Sequence, residues 1–593
     1  MRKYVRKKQL HAWILAWGLM TTVLMTPFTV SVAADTSGQN NAENQIVTTA
    51  HSLQHREVTT QAIFPIVVAT DTGKVQGEVA ESAVRWRGIP FAIAPRWAEP
   101  QSPDKWTGIK ETTAYGTRSM HVAGGKLIGS DTELNLDVYR PNTKETNLPV
   151  LFYIHGGNNQ TGGSSEFDGT TFASRANAVV VSINHRLGIL GFADLPALKT
   201  GDKVTDSGNF ALLDINKGLD WTIKNIKSFG GNPKNITIAG FSSGGRDVMA
   251  MTISPLFLGK YQKAIAFHGG LTTSAPSKAQ LVDATALAPF AVEDGKAKDL
   301  IDAKQWVQGE SKEVRDWLFS LSSEQLAKAF GGAGIRMAKF PHLFTDGQVL
   351  PADGFSGDNY TQTPIIMLTG YDEFSYHAGQ DSRFVQAWKD KSLLQNQMRK
   401  AEYDFVKTYG SQFYRYFNTE ESALKMAPHY NAPIYTTTIK WGADASIVGR
   451  PMAELVGAHH GIFLPLMTEK PILSSDWYPE AFSNTGVKEL SQKFQAYMRN
   501  FLHTGNPNGK GLPRWEPWSA IGASDMIFDA DANRAKIEQS FEHDSAEKIL
   551  ARIKADTTLT ESQKLELIQT VMNGRWWSES LDKAYKSSDF WIH

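Results

Sequence analysis

Short, continuous apolar runs alternate with helix-period segments along this chain, and that alternation limits what it can fold into. Val150-Leu151-Phe152-Tyr153-Ile154 ends at His155-Gly156-Gly157, residues 178–183 end at Asn184, and Ile236-Thr237-Ile238-Ala239 ends at Gly240. Ile265-Ala266-Phe267 and Ile365-Ile366-Met367-Leu368 follow. Runs this short, bounded by turn residues, suit strands buried on both faces. Between the second and third runs, Leu212, Ile215, Leu219, Ile223 and Ile226 recur at steps of three and four, one face of a helix. The alternation predicts an α/β fold, a mostly parallel sheet with helices on both sides. Residues 271–345 and 376–430 are helix-rich and lack such runs. They are expected as helical insertions over the carboxyl edge of the sheet, where such folds bind ligands.

The ends of the chain read differently. Arg2, Lys3, Arg6, Lys7 and Lys8 precede an apolar run from Ala12 to about Val30, and Val32-Ala33-Ala34 follows. This pattern predicts a signal peptide over 1–34, cut before Asp35, and a secreted or periplasmic protein; an uncleaved anchor is the alternative. No later stretch is apolar enough to span a bilayer, so no stable membrane association is expected after cleavage. Residues 35–62 read as a flexible polar lead, 63–540 as the main α/β domain and 541–593 as a charged, helical C-terminal appendage. With 61 Lys+Arg against 61 Asp+Glu over 593 residues, the chain lacks the basic balance of a nucleic-acid binder. Zero cysteine excludes disulfides, thiolate metal sites and a cysteine nucleophile. Nothing in the pattern fixes the oligomeric state.

Gly240-Phe241-Ser242-Ser243-Gly244 matches G-x-S-x-G, directly after one predicted strand and before a helix-compatible stretch. That context presents a serine hydroxyl on a sharp strand-to-helix turn. The register selects Ser242, because Ser243 as nucleophile would require glycine at Phe241. A serine needs a base, and the base an orienting acid. His155-Gly156-Gly157-Asn158 supplies a turn whose N–H groups can face an oxyanion, and the N–H of Ser243 adds another. A plain loop is the bland alternative for this turn. A phosphate loop fails for want of a following Gly-Lys-Ser/Thr.

Together with these motifs, several segments occur in a recognisable order. They are Trp86-Arg87-Gly88-Ile89-Pro90-Phe91, Leu134-Asn135-Leu136-Asp137-Val138-Tyr139, Asn184-His185-Arg186-Leu187-Gly188, Asn209-Phe210-Ala211-Leu212-Leu213-Asp214, Phe229-Gly230-Gly231-Asn232-Pro233 and Thr504-Gly505-Asn506-Pro507 before Trp515. From about Val67 to Phe528 the chain resembles the type-B carboxylesterase/cholinesterase family of α/β-hydrolases. The resemblance implies Glu373 as the acid, in Asp372-Glu373-Phe374, and His460 as the base, in Gly457-Ala458-His459-His460-Gly461. It also implies oxyanion donors at Gly157, Asn158 and Ser243, and no cofactor. The order Ser…Glu…His agrees with that fold. Asp372 is the competing acid. His459 falls at the family's variable position and reads as a wall or surface residue. His155, His185 and His268 near strand ends lack the ligand spacing of a metalloenzyme, so no metal is expected. His185, where the family often has tyrosine, reads as packing.

Departures from the family cluster near the chemistry. Phe241 replaces the usual glutamate before the nucleophile, Ser243 the usual alanine after it, and Asp247 a frequent second serine. Asn158 stands for the third glycine of the oxyanion turn, Phe463 for an acidic residue after the base, and Glu133 for one of the missing cysteines. Phe241 and Phe463 are expected to give the substrate pocket an apolar wall and to disfavour choline-type cations. The expected activity is hydrolysis of small-molecule carboxylic esters, neutral aryl or short alkyl, through an acyl-enzyme on Ser242. The alternatives are an inactive esterase-like binding or adhesion protein, and an amide or carbamate hydrolase using the same triad.

Overall fold

Eleven strands form one sheet in the structure, a computed structural model that describes residues 61–331, 335–470 and 483–591. The expected signal peptide, and all but the last two residues of the polar lead, lie outside the described residues. In chain order the strands are β1 Glu78–Ala80, β2 Ala83–Ile93, β3 Glu133–Pro141, β4 Leu148–Ile154, β5 Val179–Ile183, β6 Gly231–Phe241, β7 Lys263–Phe267, β8 Ile365–Gly370, β9 Ile434–Ile439, β10 Asp525–Ala530 and β11 Ala535–Gln539. Their order across the sheet is β11-β10-β9-β8-β7-β6-β4-β5-β3-β2-β1. Pairs from β5 through β4 and β6 to β10 are parallel, and the two margins are antiparallel.

The strand period divides the core. Val150, Phe152 and Ile154 of β4 enter one hydrophobic cluster, Leu151 and Tyr153 the other, on opposite faces. Helix α1, Phe210–Asn225, covers the first face with Leu212, Ile215 and Leu219. Helix α2, Ser243–Ile253, adds Val248, Met249, Met251 and Ile253 to the same cluster. At about 1.5–3 kcal/mol for each large apolar side chain removed from water, these stripes fix the two helices to the sheet.

Between β7 and β8 run α3 Pro276–Glu293, α4 Leu300–Val307, α5 Lys312–Ser320 and α6 Ser323–Ala329. Between β8 and β9 lies α7, Gln397–Tyr416, and before β10 lies α8, Thr485–Thr504, whose Val487, Leu490, Phe494 and Phe501 cover the second face. Residues after β11 form α9 Ala546–Ala555, α10 Glu561–Leu567 and α11 Glu579–Tyr585. They bring Ile549, Ile553, Leu567, Trp576 and Trp577 into the second cluster.

The parallel strands point their carboxyl ends one way. There β4 delivers the Gly156-Gly157 turn, β6 delivers Ser242, β7 His268 and β8 Glu373.

Candidate active site

Ser242 has φ 58° and ψ −115°, a conformation rare for any residue but glycine, at the start of α2. The flanking glycines permit it. A Cβ at Gly240 would strike the carbonyl of Gly244, and one at Gly244 the carbonyls of Ile154 and His155. Ser242 N–H donates to the Phe267 carbonyl at 2.8 Å, anchoring the elbow to the end of β7. The serine is only 4% exposed, and its access is through a cavity of about 300 Å³.

Beside it lies the turn from β4. Gly157 has φ 103°, and Asn158 and Asn159 follow at 58° and 57°, three successive positive φ values. Side chains from α2 hold this turn. Asn159 N–H donates to Ser243 Oγ at 3.0 Å and its Nδ2 to Asp247 Oδ1 at 2.8 Å. Arg246 Nη2 donates to Asn158 Oδ1 at 3.3 Å, with the guanidinium 3.8 Å over the ring of Trp576. Two family departures, Ser243 and Asp247, thus brace the turn. Gly157 and Asn158 line the cavity with Ser242, and Ser243 opens a helix whose first N–H groups have no intrahelical acceptor. Burial pushes the Asp247 carboxyl up to about 7, against the hydrogen bond of Asn159 and the charge of Arg246. Burial likewise lowers Arg246 to about 10.

Glu373 is fully buried. Its Oε1 accepts from His460 Nδ1. Its Oε2 accepts from Gly370 N–H at 2.6 Å, His268 Nδ1 at 2.7 Å and Thr369 Oγ1 at 3.1 Å. Burial opposes its charge, but the two histidines outweigh that and hold the carboxyl well below the usual range. Asp372, one residue earlier, faces elsewhere: its carboxylate accepts from Ala458 N–H at 3.0 Å and pairs with Lys407 at 3.3 Å.

The His460 ring packs among Phe241 at 4.8 Å, His377 at 5.0 Å and Tyr414 at 5.5 Å between centroids. Its Nε2 is buried and, among the described residues, has no hydrogen-bond partner. It therefore makes no bond to Ser242 Oγ here, though both residues line the same cavity. Such contacts are often long without substrate and tighten in the complex. A serine, a carboxylate-oriented imidazole and nearby peptide N–H groups can together carry acyl transfer.

Phe241 lines the cavity, whereas Phe463 does not. Phe463 is fully buried and stacks on Phe267 at 4.1 Å, one layer behind Phe241, so the pocket-wall expectation for it gives way to packing. His459 is buried rather than at the surface and bonds through Nδ1 to the His460 carbonyl at 2.6 Å; burial lowers it to about 4. His155 and His185 stack at 4.6 Å, each with Nδ1 on a main-chain carbonyl. Among the described residues, one group of potential metal ligands converges, His268, Glu373 and His460, but both Nδ1 atoms are committed to the carboxylate.

Sequence reasoning missed Asn159, His377 and Tyr414, and weighed His268 only as a metal ligand before setting it aside. The helical insertion expected over the carboxyl edge, within 271–345, supplies the wall of Leu326 and Phe330 that closes the cavity. Gln160 Nε2 donates to the Phe330 carbonyl and ties that wall to the oxyanion turn. No motif marks such residues, because distant loops bring them together.

The sheet order, elbow and carboxyl-edge site define an α/β-hydrolase. The chain belongs to the carboxylesterase family, whose profile matches residues 65–404 and 369–547. It is therefore a carboxylic ester hydrolase. Para-nitrobenzyl esterase of Bacillus subtilis is 26% identical over 515 residues, covering 82% of this chain and 98% of that protein. Carboxylesterase 1D of Rattus norvegicus is 29% identical over 530 residues, covering 78% and 90%. A solved structure titled PNB esterase has a TM-score of 0.62 at 25% identity, covering 82% and 99%. A Geobacillus stearothermophilus carboxylesterase structure gives 0.61 at 25%, with the same coverage.

Proposed function

We propose that Ser242, His460 and Glu373 are the catalytic triad of this esterase. The observation that carries the reading is the Glu373–His460 hydrogen bond beside a strained, cavity-lining Ser242. His460 Nε2 takes the Ser242 proton as Oγ attacks the ester carbonyl. Glu373 holds the imidazole with Nδ1 protonated and stabilises the imidazolium. Peptide N–H groups of Gly157, Asn158 and Ser243 receive the oxyanion. His460 then protonates the leaving alcohol, and water hydrolyses the acyl-enzyme by the same steps. Ser242→Ala is expected to abolish both ester turnover and covalent labelling by an organophosphate. Full labelling of that variant on Ser243 would sink the assignment.

The preferred esters are neutral aryl or short alkyl ones. Support comes from the lining, where Met120, Leu187, Leu190, Phe241, Leu326 and Phe330 dominate. Para-nitrobenzyl esterase, similar over most of the chain, carries an uncharged arylmethyl group in its name. The protein is exported, supported by the basic, apolar and small-residue order of 1–34. Mass spectrometry of the exported protein should find Asp35 at its N-terminus. Among the described residues, no helix is long and apolar enough to cross a membrane.

A further inference from the structure

Glu373 is shared between two imidazoles, and only one of them can reach the substrate cavity. His460 takes Oε1 and lines the cavity; His268 takes Oε2 at 2.7 Å, is fully buried and does not line it. We propose that His268 is a positioning residue for ester hydrolysis: its Nδ1–H fixes the second oxygen of Glu373 so that the first stays in line with His460, and it sets how strongly that carboxylate holds the imidazolium. The proposal rests on the reading of Ser242, His460 and Glu373 as the triad.

The backbone is arranged for this. His268 follows β7 with φ 56°, a left-handed conformation uncommon for a non-glycine residue. Its N–H donates to the Leu368 carbonyl at 2.7 Å, while the preceding Phe267 carbonyl accepts from Ser242 N–H at 2.8 Å. One dipeptide therefore touches both the nucleophile elbow and the strand that carries the acid.

The proton inventory fixes the tautomer. An ionised carboxylate only accepts, so Nδ1 of His268 carries the hydrogen. Among the described residues its Nε2 is buried without a partner: its ring lies 5.5 Å from Phe241 and 5.4 Å from Phe463, which cannot accept a hydrogen bond, and edge-on to His460 at 5.1 Å, to which that nitrogen makes none. Burial lowers its affinity for that proton, against the pull of Glu373. His268 is thus a neutral donor and does not compete with His460 as base.

Other groups face this cluster. His377 and Tyr414 pack on His460, His459 precedes it, Arg246 and Arg575 lie beyond Tyr414, and Asp372 is paired with Lys407. None of them donates to Oε2, which among the described residues His268 shares only with Gly370 N–H and Thr369 Oγ1.

Removing the donor leaves Oε2 less well solvated and the carboxylate more basic. It then grips the His460 Nδ1 proton harder, favours the imidazolium, and moves the acid limb of kcat/KM to higher pH. The test uses the mature chain and a short-chain p-nitrophenyl ester, with active sites counted by organophosphate titration. His268→Leu should lower kcat about 10–100-fold, the factor expected for a hydrogen bond to an ionised group, and raise the acid limb by about one pH unit. His268→Asn, whose amide can donate from nearly the same place, should recover most of both. Equal losses in the two variants with an unmoved limb, or no loss in His268→Leu, would overturn the proposal. In the unmutated enzyme, ¹⁵N-histidine spectra should show His268 neutral and protonated on Nδ1 from about pH 5 to 9; the Nε2–H tautomer or a charged ring would overturn it equally. Ser242→Ala serves as the control for the parent reading. Undiminished turnover there would sink the triad, whatever His268 does.

Discussion

Asn159 donates its peptide N–H to Ser243 Oγ across 3.0 Å, so the residue after the elbow serine holds the turn that faces the oxyanion. Ser243 is fully buried, and Ser243→Ala leaves that N–H without an acceptor. The expected cost is about 1–3 kcal/mol of stability. Organophosphate labelling at Ser242 should survive, with kcat reduced. Thermal unfolding and active-site titration of the variant check both.

The choice of acid turns on one residue. Glu373→Gln should cut kcat by about 10²–10⁴-fold, since the amide no longer offsets the imidazolium charge. Asp372→Asn breaks an ion pair with Lys407 and should leave turnover within a few-fold. Reversed results would make Asp372 the acid.

Asp247 gives a pH signature with a definite sign. Its folded carboxyl titrates at about 7, above the ordinary 3.8, so the folded state binds the extra proton. Its contribution to stability therefore falls as pH rises from about 4 to 7 and is flat above. Asp247→Asn can still accept from Asn159 and should flatten that slope, raising Tm more at pH 8 than at pH 5. Calorimetry across the range measures it.

Trp576 links the C-terminal helices to the site by stacking under Arg246, which in turn holds Asn158. Trp576→Ala should destabilise by about 3–5 kcal/mol, the usual cost of truncating a buried tryptophan. Because Arg246 loses its seat, kcat should fall even under conditions where the variant is fully folded. Denaturant unfolding paired with kinetics below the transition separates the two effects.

Substrate charge follows from the cavity wall, which among the described residues carries no Asp or Glu. A quaternary ammonium would lose its hydration there without a carboxylate to replace it. Neutral esters should show higher kcat/KM than choline esters with the same acyl group. Phe241→Glu should narrow the gap, and its carboxylate, placed where a ring now lies 4.8 Å from that of His460, should also raise the acid limb. A choline preference in the unmutated enzyme would defeat the argument.

By itself the sequence determined the parallel centre of the sheet and its elbow. Fully buried strands leave uninterrupted apolar runs, as in Val150-Leu151-Phe152-Tyr153-Ile154, and a tight turn admits only glycine at Gly240 and Gly244. It did not expose β9, Ile434-Tyr435-Thr436-Thr437-Thr438-Ile439, because that strand is rich in threonines. Thr436 and Thr437 donate to carbonyls of Ser524 and Met526, so a polar segment is buried with its hydroxyls bonded. Tertiary structure set the geometry that the family resemblance had only implied: in the turn after β8, Glu373 accepts from His460 Nδ1 while Asp372 turns to Ala458 N–H and Lys407. It alone placed Phe463 behind Phe241, brought Asn159 under Ser243, and set His268 against Glu373 from 105 residues away. Those pairings span loops whose lengths carry no pattern. They exist only because parallel strands gather their carboxyl ends at one edge, where a single buried charge is stable only when every donor it needs arrives together.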